Sequence, residues 1–184
     1  MGRKRTRRAL REAAATGEPV LVRRNLWKAD HLEGFVVDVD DAWATLHLVH
    51  DVGLNGWSTV RLDTVRDVVH LGADAFITRA LDLVGDEPLP LGLDLESAAD
   101  VIRSSASAFP LVTLYTEAAD PGVCAIGRPR RLGATKVSFL DISSEGEWEE
   151  DPRHLRLADI TRVDVGGRFE TVLHHLGGYP PIPD

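Results

Sequence analysis

The sequence predicts a mainly β protein with helices (α+β), arranged as two small β-barrels in tandem with flanking helices. The main observation is that the two halves of the 184-residue chain repeat one pattern: an apolar pair, a glycine that opens a strand-like run, and a closing Leu-rich step. The members are Leu21-Val22, Gly34 and 62–68 in the first copy, and Leu111-Val112, Gly127 and 157–163 in the second. Each copy is near the lower size limit for burying its own core, so we expect the copies to pack on each other or on shared helices.

Charge is distributed unevenly along the chain. The formal net charge is −8, yet six of the 21 Lys and Arg residues lie between residues 1 and 11, where there is no acidic residue. The rest of the chain therefore carries 15 basic and 29 acidic side chains, a formal charge of −14. The acidic body would repel a phosphate backbone, whereas the basic arm could bind one.

The first half reads as a helix followed by five strands and a second helix. Residues 6–16 are rich in helix formers, and Gly17-Glu18-Pro19 ends that helix. Alternation and β-branched residues predict the strands, with a turn at residues 53–56. The expected strands are 20–22, 35–39, 43–49, 57–62 and 65–71, and the helix is 76–84. Five short strands with tight connections favour a closed barrel without exposed edges.

The second half repeats this order after a linker. Two prolines and two glycines between residues 85 and 92 exclude a regular element there. We expect a helix over 94–109 with Asp94 as its N-cap, because its apolar residues share a face. The strands that follow are 111–116, 123–128, 136–142, 155–157 and 160–165, with an acidic loop over 143–152 and a last helix over 169–176.

These elements divide the chain into five segments. The predicted boundaries are a basic arm or helix over 1–16, a first barrel with its helix over 17–84, a linker over 85–93, a second barrel with two helices over 94–176, and a tail over 177–184.

Composition narrows the class of protein. The single cysteine, Cys124, excludes an intrachain disulfide framework and is expected to be buried. The chain has no apolar run near the length of a membrane helix and no signal-peptide core, so we expect a cytoplasmic protein that does not bind a membrane. The sequence contains no phosphate loop, serine elbow or zinc-protease motif, and we expect neither enzymatic activity nor a cofactor or metal.

The order of elements resembles the Sm-like, SH3-like small barrels, and the paired form resembles a group of uncharacterised two-copy bacterial proteins. The residues that carry the resemblance are 34–37, 109–112 and 159–163. The resemblance implies two barrels over most of residues 17–176. It also raises RNA binding, because Sm-like proteins bind RNA. The family's RNA pocket uses an Asn in the middle strands and an Arg-Gly step near the closing strands, and neither occurs at the matching positions here. Arg61 and Arg66 are the residues nearest to that arginine, and a ring assembly does not follow.

Two hypotheses of function result. The first is a non-catalytic interaction or scaffold protein that binds a protein partner or a second copy of itself. Its candidate contact residues are Trp43, Trp57, Arg61, Arg66, Arg128, Arg130 and Arg131, since aromatic and arginine side chains favour binding sites. The alternative is RNA or ribonucleoprotein binding through the basic arm, whose members are Arg3, Lys4, Arg5, Arg7, Arg8 and Arg11.

Overall fold

The computed structural model describes residues 2–181, and within them the chain forms four α-helices and ten β-strands. The helices are α1 (Arg3–Thr16), α2 (Phe76–Val84), α3 (Ala98–Ala108) and α4 (Arg168–Gly177). The strands of the first half are β1 (Pro19–Arg24), β2 (Leu32–Val39), β3 (Trp43–His50), β4 (Gly53–Arg61) and β5 (Val65–His70). Those of the second half are β6 (Val112–Tyr115), β7 (Cys124–Leu132), β8 (Lys136–Asp141), β9 (Arg153–Arg156) and β10 (Arg162–Val165). None of the helices described is long and apolar enough to cross a bilayer.

The predicted helices and strands are present, but several of their bounds differ from the prediction. Strand β7 runs to Leu132, beyond the predicted end at residue 128, and β9 begins at Arg153, before the predicted start at residue 155. Residues 53–56, predicted as a turn, belong to β4. The helix expected from Asp94 begins at Ala98, because Ser97 is the residue that caps it: the Ser97 hydroxyl accepts a hydrogen bond from the Asp100 N–H. Gly17 ends α1 as predicted, in the left-handed conformation that a glycine adopts without strain.

All ten strands form one antiparallel sheet, in the order β5-β1-β2-β3-β4-β10-β6-β7-β8-β9. The strand order within the two halves is therefore the same. A short 3₁₀ turn precedes the last strand of each half, at Leu62–Thr64 and Leu157–Asp159. The prediction of closed barrels without edges is not confirmed: the sheet is open, because β4 pairs with β10 of the other half and not with β5.

The internal repeat extends to the register of the strands. Gly34 of β2 pairs with Val20, and Gly127 of β7 pairs with Val112. At both glycines a Cβ atom would collide with a carbonyl oxygen of the next strand. Val20 thus corresponds to Val112, so the match of Leu21-Val22 with Leu111-Val112 is wrong by two residues. Both strands also have an irregularity at the same distance from the glycine, at Val37 in β2 and at Arg130 in β7.

The helices take equivalent places in the two halves. Helix α1 packs on β2, β5 and the first 3₁₀ turn, while α3 packs on β7, β10 and the second 3₁₀ turn. Ile77 and Leu81 of α2 bury themselves against Phe35, and Leu173 of α4 packs in the same way with Leu111 and Ile142. Each half therefore consists of a helix, four strands, a 3₁₀ turn, a fifth strand and a helix.

The linker is not free, although it has no regular secondary structure. Leu93 and Leu95 are buried in the core of the second half, together with Trp43 of the first half. Alternate residues of this extended stretch therefore point inward. The sequence signal was the spacing Leu91, Leu93, Leu95, which is the period of an extended chain.

Candidate functional site

The basic N-terminal segment is a helix that is docked on the protein. Thr6, Leu10 and Ala13 are buried on one face of α1. At its edge Arg3 donates two hydrogen bonds to the backbone oxygen of Asp41, at 3.0 and 2.8 Å, and Arg7 forms an ion pair with the Asp41 carboxylate. Two of the six basic residues predicted to contact phosphate, Arg3 and Arg7, are therefore bound to the turn between β2 and β3.

The remaining four basic side chains of α1 are exposed. Since successive helix residues are about 100° apart, Lys4, Arg8 and Arg11 share the face opposite the buried one. Arg5 lies beside that stripe. The exposed basic face is defined here as Lys4, Arg5, Arg8 and Arg11. It could contact successive phosphates of a nucleic acid or an acidic protein surface.

The two tryptophans predicted to line a surface have different environments. Trp43 is only 2 % exposed and packs in the hydrophobic core, so the prediction that it contacts a partner is wrong. Although Trp43 lies in the first half, it belongs to the apolar cluster of the second half, against which Ala42 and Trp57 also pack. Trp57, in contrast, is partly exposed on β4 and stacks on His47 of β3, with 4.2 Å between ring centroids.

The aromatic pair His47–Trp57 holds an extended segment of the linker by its backbone. The Leu89 N–H donates to His47 Nδ1 at 3.1 Å, and Trp57 Nε1–H donates to the Leu89 carbonyl oxygen at 2.9 Å. Both polar backbone groups of one residue are therefore satisfied by this pair of side chains. Leu89 lies between Pro88 and Pro90, and its own side chain is 49 % exposed. The linker segment is defined as residues 86–91.

The protonation state of His47 determines whether this contact forms. Nδ1 can accept a hydrogen bond only when it carries no proton. Burial lowers the pKa of His47 below the ordinary histidine value, against the opposing charge of Asp86 in the linker segment. Neutral His47, which accepts from Leu89, is thus the favoured form near neutral pH.

A cavity of about 280 Å³ lies next to the linker segment. Phe35, Val36 and Val37 line its floor, and Pro88 and Pro90 line its side. Ala14 and Gly17 at the end of α1 complete the lining, so this groove between the linker segment, β2 and α1 has room for a further side chain.

The second half has a proline-containing segment at the corresponding position. The tail segment, residues 178–181, follows α4 as the linker segment follows α2. Arg130 Nη2 donates to the Pro181 carbonyl oxygen at 2.9 Å, and the Arg128 guanidinium lies over the Tyr179 ring. Arg130 is the β7 equivalent of Val37, which lines the groove of the first half. The predicted tail residues 182–184 lie outside the described residues.

The other predicted contact residues have structural or exposed positions. Arg61 donates to the carbonyl oxygens of Ala158 and Ile160, at 2.6 and 3.1 Å, and so connects the halves. Arg128 also donates to three carbonyl oxygens at the end of α3, those of Ala106, Phe109 and Pro110. Arg66 and Arg131 are exposed, and within residues 2–181 their side chains form no hydrogen bond or ion pair.

Sequence reasoning missed a buried charge cluster at the junction of the halves. Arg24 Nη2 and Glu117 Oε2 are 2.5 Å apart, and both side chains are almost inaccessible to solvent. Thr161 also donates to Glu117 at 2.6 Å. Nearby, Arg162 donates to Asp164 at 2.8 Å on β10. Arg24 ends β1 and Glu117 follows β6, so the two residues meet only in the folded chain. No local sequence pattern could have predicted this ion pair.

Two further groups are candidates for chemistry, the thiol of Cys124 and an acidic cluster around the start of α3. Cys124 is exposed, contrary to the expectation that it is buried, and partial desolvation raises the pKa of its thiol, which disfavours the reactive thiolate. Asp94, Glu96 and Asp100 are close enough to share a cation. However, Asp100 already accepts from Ser97 and Arg103, and these contacts lower its pKa.

The chain was compared with family models, curated proteins and solved structures, and no match was found in any of the three comparisons.

Proposed function

We propose that the chain is a non-catalytic interaction protein, built from two Sm-like units, that binds another protein. The observation that carries the proposal is the hydrogen bonding of both backbone groups of Leu89 by His47 and Trp57. Recognition of an extended backbone by fixed side chains is a common mode of peptide binding. Of the predicted contact residues, Trp57, Arg128 and Arg130 touch one of the two proline-containing segments.

The assignment of Sm-like units rests on the repeat and on strand order. In each half, the fifth strand lies beside the first, and the second, third and fourth strands follow in chain order. A bent second strand with a glycine is present in both, at Gly34 and Gly127. These features support a pair of related units, whereas the function must be argued from the site.

The test is affinity capture from nuclease-treated cell lysate with the full chain and with Trp57→Phe. Phenylalanine keeps a six-membered aromatic ring beside His47 but lacks the indole N–H that binds Leu89 and the five-membered ring that carries it. We expect a protein partner that resists nuclease and whose recovery falls with Trp57→Phe, while Lys136→Ala, at an exposed position of β8, leaves it unchanged. Capture that is indifferent to Trp57, or lost with nuclease, contradicts the proposal.

RNA binding is a second candidate, and the exposed basic face of α1 favours it. Lys4, Arg8 and Arg11 form a stripe on one helix face, and Arg5 lies beside it. Because the rest of the body is acidic, binding would depend on this face alone and would weaken steeply with salt.

The test is a titration of single-stranded RNA at several salt concentrations. Replacement of Lys4, Arg8 and Arg11 by alanine should abolish binding, whereas replacement of Arg3, which contacts the backbone of Asp41, is the control that retains the exposed stripe. Equal affinity of the triple variant and the natural chain eliminates this candidate.

A further inference from the structure

We propose that the aromatic pair His47–Trp57 is a binding site for an extended, proline-flanked segment of a partner protein, and that the chain's own linker segment occupies this site until a partner displaces it. The inference rests on the proposed function and deepens it: it names the class of ligand and a means of regulation.

The contacts define what the site recognises. The pair hydrogen bonds only to the backbone of Leu89, at 3.1 and 2.9 Å, while half of the Leu89 side chain faces solvent. The site therefore requires one residue with a free N–H and C=O in an extended conformation. Prolines on both sides favour that conformation, since they fix φ and reduce the entropy that the segment loses on binding.

The groove leaves room that the linker segment does not use. The cavity of about 280 Å³ beside Pro88 and Pro90 has Phe35, Val36 and Val37 on its floor. A partner segment with a large apolar side chain outside its two prolines would fill this space. Such a ligand can gain contacts that the linker lacks, which is the condition for displacement.

The linker segment can leave the site without unfolding the halves. Its ends are attached separately: α2 ends at Gly85, and at the other end Leu91 packs against the second half's core, in which Leu93 and Leu95 are buried. Between these points, residues 86, 87, 89 and 90 are exposed. The two hydrogen bonds of Leu89 are thus the main specific contacts that an invading segment must replace.

The tail segment supports this interpretation independently. It is also proline-containing, it also follows the last helix of its half, and it also lies beside the irregular residue of the second strand, here Arg130. The same face of the second strand in both halves therefore contacts a proline-containing segment of the chain. This agreement indicates a property of the unit rather than an accident of one linker.

The experiment titrates the acetylated, amidated peptide Glu-Pro-Leu-Pro-Leu into the full chain and follows the Trp57 indole N–H by NMR. The comparison is with Pro88→Gly/Pro90→Gly, which makes the linker segment more flexible and weakens its hold. We expect the variant to bind the peptide at least about fivefold more tightly, because a self-occupied site reduces apparent affinity by the fraction that is open.

The control is the same peptide with a methyl group on the backbone nitrogen of its first leucine, the one that corresponds to Leu89. The protein itself is left unchanged, and this peptide cannot donate a hydrogen bond to His47. It should bind about tenfold more weakly than the parent peptide, the magnitude expected for one hydrogen bond. Equal affinity of the two peptides, or of the variant and the natural chain, overturns the inference. If neither peptide binds while a captured protein still depends on Trp57, the ligand class is wrong and the proposed function stands.

Discussion

At the scale of single residues, the ion pair of Arg24 and Glu117 is a buried contact on which stability depends. Both groups are shielded from water, and Thr64 and Thr161 form one further hydrogen bond with each of them, to Arg24 and Glu117 respectively. Removal of one partner leaves the other charge buried without its counter-ion, which costs far more than the pair contributes as a whole.

Replacement of Arg24 by methionine should therefore lower the free energy of unfolding by about 3–5 kcal/mol. The double variant with Glu117→Gln should lose less than the single one, because no uncompensated charge remains. Chemical denaturation checks both. The matched control is Arg156→Met, which breaks the exposed pair with Asp159 and should change stability by about 0.5 kcal/mol or less. Equal losses at Arg24 and Arg156 would refute this assignment.

The bent second strands give a second prediction. A Cβ atom at Gly34 would lie 2.4 Å from the His47 carbonyl oxygen, and one at Gly127 would lie 1.9 Å from that of Leu140. Alanine at either position should cost about 1–3 kcal/mol, since the neighbouring strand must shift. Gly53→Ala is the control, as nothing lies within 4 Å of its Cβ position. Thermal unfolding of the three variants measures the difference, and a Gly53 variant as unstable as the others would contradict it.

At the scale of elements, the linker segment makes stability depend on pH. Burial lowers the pKa of His47, opposed by Asp86, so the folded chain takes up this proton at a lower pH than the unfolded chain does. The contribution of neutral His47 to the free energy of unfolding is complete above the ordinary histidine pKa of about 6.5. This contribution is lost progressively as the pH falls below that value. The unfolding free energy should therefore fall in this range, by at most about 1.4 kcal/mol per pH unit for this one group.

The variant His47→Gln isolates this effect from the other six histidines. Glutamine can accept from the Leu89 N–H through its amide oxygen but does not titrate. Urea denaturation at pH 7.5 and 5.5 should show a smaller difference for the variant than for the natural chain. An unchanged difference would mean that His47 does not titrate in this range.

The elements themselves could be predicted from the sequence, but several contacts between them could not. Alternation in residues 43–49 and helix formers in residues 6–16 are local signals, and both elements formed where expected. Local signals failed where a competing residue was better placed: Ser97 rather than Asp94 caps α3. The role of Trp57 depended on Leu89, 32 residues away, and no periodicity reports such a contact.

At the scale of the whole molecule, the halves share one sheet rather than two closed ones. Strand β4 pairs with β10 from Val60 opposite Arg162 to Trp57 opposite Val165. The sequence repeat predicted two units but not this junction, because edge pairing depends on backbone groups that every residue carries. The burial of Trp43 could not be predicted for the same reason, because it depends on contacts with the distant residues Leu93 and Leu95.

Calorimetry should consequently show one unfolding transition for the full chain. Three kinds of contact cross the junction between the halves: the pairing of β4 with β10, the ion pair Arg24–Glu117, and the hydrogen bonds of Arg61 to Ala158 and Ile160. Unfolding of one half would therefore expose the buried surface of the other. The calorimetric and van't Hoff enthalpies should agree, as for a single cooperative unit. Two resolved transitions would show that the halves are thermodynamically independent.

The most direct test of the account is the hydrogen exchange rate of the Leu89 amide, compared with that of Val60 in β4. A self-occupied site requires the linker segment to open while the sheet stays folded. We expect the Leu89 amide to be protected, with an opening free energy lower than that of Val60, and its protection factor, corrected for the intrinsic exchange rate at each pH, to fall below pH 6. Equal opening free energies at the two amides would make the linker segment a permanent part of the fold and contradict the claim that a partner can replace it.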